Sequence, residues 1–128
     1  MNALPDMHDG FFEGVFASKS KMAHLYFRSY DGKSSTVVLG EVERMDISSF
    51  KDGNIVFDIV LVDSDDLSVE HMERLYEPSN PENNGQRLIQ AREKGLRVLE
   101  VNPSYGAECT ALFRSIEVLA GHIWPTAS

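Results

Sequence analysis

His8 and Asp9 are the first residues in this chain whose types and spacing suggest chemistry. An imidazole beside a hard carboxylate oxygen is a pair that divalent metals accept. A metal-dependent phosphohydrolase of the His-Asp type needs further His and Asp ligands on helices. His24, His71 and His122 fall at no ligand spacing, so no metal or other cofactor is expected and Asp9-Gly10 reads as a turn. Asn102, Ser104 and Tyr105 share a Pro- and Gly-containing segment that can line a small pocket, since loops carry function more often than cores. Ser104 lacks the Gly-x-Ser-x-Gly elbow that a nucleophilic serine uses, because position 102 is Asn. Cys109 has no base beside it in sequence to lower its pKa, and reads as a small buried hydrophobe. Asp58 interrupts the apolar run Ile55 to Leu61; it is expected to pair with Arg28 or Arg44 rather than serve as a base.

The acidic stretch from Asp63 lacks the Gly that a calcium loop needs at its sixth position, which is Ser68 here. Gly10 to Gly14 lacks the Lys-Ser or Lys-Thr ending of a phosphate loop. Between Asp63 and Glu82 stand seven acids and one base, whereas Gly85 to Arg97 holds four bases and one acid. Glu70, Glu73 and Glu77 therefore form a candidate acidic face for a basic protein partner. The net charge of −8 argues against nucleic acid and anionic membranes, which recruit Lys and Arg.

The elements that must position these residues start from three Asp-Gly dipeptides, at 9–10, 31–32 and 52–53. Gly accepts positive φ freely and Asp tolerates it, so Asp-Gly favours hairpin turns. The last two lie between β-branched and aromatic runs, which predicts an antiparallel meander. Strands are expected over Phe11–Ala17, Met22–Ser29, Ser35–Val42, Asn54–Val62 and Leu96–Val101. A sixth is expected within Ala107–Ala120, where a helical stripe competes with strand alternation. The Asn54–Val62 run carries so few charges that it reads as a central strand covered on both faces. Met45–Phe50 reads as a link, and Asn102–Gly106 as a turn.

Two short helices are expected at about 68–77 and 82–94. Ser68 is a candidate N-cap, with Leu67 and Met72 as a hydrophobic staple. Pro81 suits the start of the second helix and Gly95 its stop. The expected fold is thus one α+β domain over 1–128, a curved, mostly antiparallel sheet of about six strands with two short helices. The size supports one core, and the lone cysteine suits a reducing cytoplasm. Met1–Gly10 has neither the basic start nor the apolar run of a signal peptide, and no stretch approaches a membrane span.

The segments Leu4-Pro5-Asp6-Met7-His8-Asp9-Gly10, Gly53-Asn54-Ile55-Val56-Phe57-Asp58 and Pro103-Ser104-Tyr105-Gly106-Ala107 together resemble small uncharacterised bacterial proteins. In those, a His-Asp opening precedes a hairpin, a Gly-Asn-Ile strand follows, and a Ser-Tyr-Gly turn lies near the end. Some look like immunity proteins that neutralise toxins encoded beside them. The resemblance implies an acidic binding surface and no catalysis. The expectation is a non-enzymatic cytoplasmic binding domain, monomer or homodimer, with a basic protein partner. The competing reading is a small hydrolase or ligand-binding enzyme that unites His8 and Asp9 with the 102–106 turn.

Overall fold

The computed structural model describes residues 4–76 and 81–125. Eight strands form one fully antiparallel sheet: β1 Phe11–Ala17, β2 Ala23–Arg28, β3 Ser34–Gly40, β4 Arg44–Ser48, β5 Ile55–Val62, β6 Arg97–Tyr105, β7 Glu108–Phe113 and β8 Ser115–Ala120. Two helices, α1 Val69–Leu75 and α2 Pro81–Glu93, lie between β5 and β6. The mixed α+β class agrees with the sequence reading, but the sheet has eight strands rather than about six. The extra strands come from Met45–Phe50, where β4 replaces the expected link, and from Ala107–Ala120, which forms two strands broken at Arg114.

The strand order β4-β7-β6-β5-β1-β2-β3-β8 closes on itself. Only residues 41–43 separate β3 from β4, and only Arg114 separates β7 from β8. These two bent ribbons run side by side, with β3 pairing β8 and β4 pairing β7. At the bend, the Arg114 N–H donates to the Gly40 carbonyl at 3.1 Å, and a Cβ on Gly40 would collide with the Ser115 side chain. Glu41 turns the chain there at φ 51°. The remaining join is narrow. β1 meets β5 at Phe11 and Ile55, extended by bonds from Phe12 N to Asn54 O and from Val56 N to Gly10 O, each 2.9 Å.

The interior is filled by side chains. Phe12, Leu25, Phe27, Val37, Leu39, Val56, Leu99, Cys109, Ala111 and Phe113 form one buried cluster, joined by Met7 from the segment before β1. Each such large apolar side chain contributes about 1.5–3 kcal/mol by leaving water. A second cluster lies outside the sheet, where Met72 and Leu75 of α1 and Ala91 of α2 cover Val98 and Leu112. Val98 and Leu99 of β6 and Cys109–Phe113 of β7 thus bury both faces, while β5 does not: Phe57 and Val60 are exposed. The expectation that β5 is covered on both faces fails because its outer face lies beyond the reach of the helices.

Alternation is interrupted by bulges. Glu13 is an extra residue in β1, since Phe12 pairs Phe27 and Gly14 pairs Tyr26. A simple period of two puts Glu13 and Val15 on one face, but the bulge sends Val15 inward with Phe12. The Asp31-Gly32 turn joins β2 to β3 as expected, with Gly32 at φ 90°. Asp52-Gly53 is no hairpin turn: it lies in the connection from β4 to β5, which are not neighbours. The helix signals hold. Ser68 caps α1, and Gly95, at φ 69°, follows α2 as its N–H bonds Arg92 O. Asn102–Gly106 is mostly strand, leaving a tight turn at Gly106 with φ 88°.

Candidate functional site

The segment before β1 holds His8 and Asp9 against one edge of β5. Asp9 adopts φ 62°, its N–H bonds the Val56 carbonyl at 2.9 Å, and Gly10 N–H closes the turn on Met7 O at 2.7 Å. The His8 Nδ1–H donates to the Phe57 carbonyl at 3.0 Å, and its ring lies edge-on to Phe57. That carbonyl, then the Asp9 carboxylate 3.7 Å from Nε2, raises the His8 pKa above 6.5. Both side chains are exposed. Among the described residues, no group of three His, Cys, Asp or Glu side chains is placed to hold a metal.

Asn102, Ser104 and Tyr105 lie along the other edge of β5. Asn102 Nδ2 donates to Asp58 Oδ1 at 2.7 Å across the β5–β6 pair. This amide, rather than an arginine, is the partner of Asp58. Arg28 instead binds Glu13, and Arg44 donates to the Leu75 carbonyl at 2.9 Å. Strands are spaced about 4.8 Å apart, so groups on the two sides of β5 stand about 10 Å from one another. The His-Asp pair and the 102–106 segment thus reach one end of the sheet, but β5 stands between them.

The remaining candidates divide. Glu70 and Glu73 are exposed on α1, and Glu77 lies outside the described residues. The free backbone amide of Glu70 in the first turn, then Ser68, lowers the Glu70 pKa. Cys109 is buried, and desolvation, with Asp46 adding, pushes its pKa up to about 12, so it is a packing residue.

One polar cluster was invisible to sequence spacing. Ser68, His71 and Glu100 stand in series, with Ser68 Oγ 3.1 Å from His71 Nδ1 and His71 Nε2 3.3 Å from Glu100 Oε1. The order suggests a serine triad, yet the bonding is that of a cap. Nδ1 already accepts the Ser68 backbone N–H at 3.0 Å, and the Ser68 side chain accepts the His71 backbone N–H. A nucleophile's base needs that lone pair free. Arg74 completes the cluster by bridging Glu100, at 3.3 Å, and Glu108. The one clue in the sequence was a histidine three residues after an N-cap serine.

The second missed feature is a row of side chains across the outer face. Directly opposed residues share a face, and register aligns Arg28, Phe11, Ile55 and Tyr105 across β2, β1, β5 and β6. Phe11 is 39% exposed and Tyr105 51%. Phe57, at 52%, is the extra residue in a β5 bulge beside this row, and Phe50, at 50%, stands in the connection before β5. Ser104 is likewise extra in β6, which turns Tyr105 to match Ile55. A cleft of about 280 Å³ lies between Phe11, Phe12 and Glu13 on one side and Phe50, Asp52 and Asn54 on the other.

Asn54 fixes this end of the fold. Its Oδ1 accepts from Lys51 N at 2.8 Å and Ala107 N at 2.9 Å, and its Nδ2 donates to Phe12 O at 3.2 Å and Lys51 O at 3.0 Å. The amide has no capacity left over. Among the described residues, no helix is long and apolar enough to cross a membrane. No protein-family model, curated protein or solved structure matches this chain.

Proposed function

We propose that this chain is a non-catalytic cytoplasmic binding module whose partner is a basic protein, in the manner of an immunity protein. The observation that supports this reading is the pair of exposed rings Phe11 and Tyr105, aligned across the half-buried Ile55, with exposed Phe57 and Phe50 beside them. Asp6, Asp9 and Asp58 lie around His8, Asp52 lines the cleft beside Phe11, and the net charge is −8. Aromatic side chains with a polar rim are the usual anchors of protein interfaces, and an acidic field speeds encounter with a basic partner. Glu70 and Glu73 add to that long-range field. The same acidity disfavours nucleic acid.

The test is capture of a partner by the immobilised chain, identification of the partner, and titration calorimetry of the purified pair. A basic partner is expected, with affinity falling as salt rises and about tenfold or more weaker for Tyr105→Ala. A partner indifferent to both salt and Tyr105→Ala overturns the reading. So does turnover that disappears in a His8→Ala or Tyr105→Phe variant, which would establish the hydrolase alternative instead.

A further inference from the structure

The geometry points to the cleft between β1 and the Phe50–Asn54 connection as the anchor site for one arginine side chain of the partner. This proposal rests on the partner-binding reading and names the group that is bound. Phe11 and Phe50 present exposed rings at the cleft, and its floor is Phe12, which is buried and stacked on Phe27 at 5.0 Å. Phe50 meets Phe12 edge-on at 6.0 Å, so the exposed ring is held by the core. Asp52 is an exposed carboxylate with no hydrogen bond or ion pair among the described residues. Glu13 also lines the cleft, but its carboxylate is held by Arg28 at 3.2 Å and His122 at 3.3 Å. Asp52 is therefore the acid open to a ligand. Lys51 is the one basic residue of the lining.

An occupant must lie on a ring and also satisfy a carboxylate. A guanidinium does both, because it is planar, weakly hydrated and carries paired donors. A lysine ammonium is a compact, strongly hydrated point charge and does only the second well. Anionic ligands meet repulsion from Asp52 and Glu13. The chain already stacks its own arginines on a ring, with the guanidiniums of Arg87 and Arg44 at 4.2 and 4.8 Å from Tyr76, although their hydrogen bonds go to the Asn84 amide oxygen and the Leu75 carbonyl. Asn54 fastens the connection on both sides, so the cleft is preorganised and little ordering is needed on binding.

The experiment is NMR titration of the isotope-labelled full chain with three small probes: Nα-acetyl-arginine amide, Nα-acetyl-lysine amide and Nα-acetyl-citrulline amide. Arginine is expected to shift the amides of Phe11, Phe50, Asp52 and Asn54, to bind about fivefold or more tightly than lysine, and to outlast citrulline, its neutral isostere. Asp52→Asn and Phe50→Ala should each weaken arginine by about fivefold or more while leaving core resonances such as Phe27 unmoved. Equal responses to arginine and lysine, shifts centred elsewhere, or no effect of Phe50→Ala would overturn the proposal. The two readings fail separately. A basic partner bound through Tyr105 but indifferent to Phe50→Ala removes the cleft and leaves the partner, whereas arginine bound in the cleft by a chain that captures no protein removes the partner.

Discussion

Replacing Asn54 by Ala should be among the most damaging single changes to this protein, although it removes few atoms. Asn54 is 4% exposed and makes four hydrogen bonds that tie the end of β1, the connection after β4 and the turn after β6 into one point. The two Lys51 groups lie at an exposed residue and can bond to water after truncation. The Ala107 N–H and Phe12 carbonyl belong to buried residues and would lose their partner. A buried polar group left unsatisfied costs about 1–3 kcal/mol, so the two together predict a loss of about 2–6 kcal/mol. In a domain of this size that corresponds to a fall in melting temperature on the order of 10–20 °C. Urea unfolding followed by circular dichroism gives the free energy directly, and an unchanged m-value would show that the folded and unfolded states keep their compactness. A loss below about 0.5 kcal/mol, the range of an ordinary surface substitution, would refute the reasoning and mean that water replaces the amide in full.

Gly106→Ala should also destabilise, by about 1–3 kcal/mol, because Gly106 has φ 88° and a Cβ there would run into Asn54; thermal melting tests this, and an unshifted midpoint would contradict it. Ser68→Ala should cost about 1 kcal/mol through loss of the α1 cap, and a fluorophosphonate probe should leave Ser68 unlabelled; covalent labelling would revive the hydrolase reading. Cys109 should react with a thiol reagent only as the protein unfolds, since its pKa is pushed up to about 12 by burial; rapid labelling in native buffer would place it elsewhere. His8 should titrate above 6.5 by NMR. Its folded pKa is raised, so its contribution favours the folded state at low pH and fades as pH rises through the folded pKa; a midpoint below 6.5 would remove the Phe57 bond as its cause.

Local signals in the sequence were readable where local physics decides. The caps at Ser68 and Gly95 and the Asp31-Gly32 turn follow from backbone freedom. β4 was missed because it is short: the Arg-Met-Asp-Ile-Ser alternation covers only five residues, and the segment becomes a strand by pairing with β7, some sixty residues on. The aromatic row was hidden for a different reason. Extra residues at Glu13, Phe57 and Ser104 re-aim their neighbours, and a bulge leaves no mark in composition. Asp58 illustrates the limit for charges: a neutral amide directly across the ladder was nearer than any arginine.

The crossing of the two bent ribbons at Gly40 and Arg114 bears on how the chain is made. Emerging from a ribosome, β1, β2 and β3 can fold on one another at once, but the outer edge of β3 stays bare until β8 arrives. For most of translation, then, a strand with open backbone groups faces solvent, the situation in which chains stick edge to edge. Closure through contacts so distant in sequence is also slow relative to helix or hairpin formation. A ribosome-stalled fragment ending before Ser115 should therefore hold chaperones that the released full chain sheds.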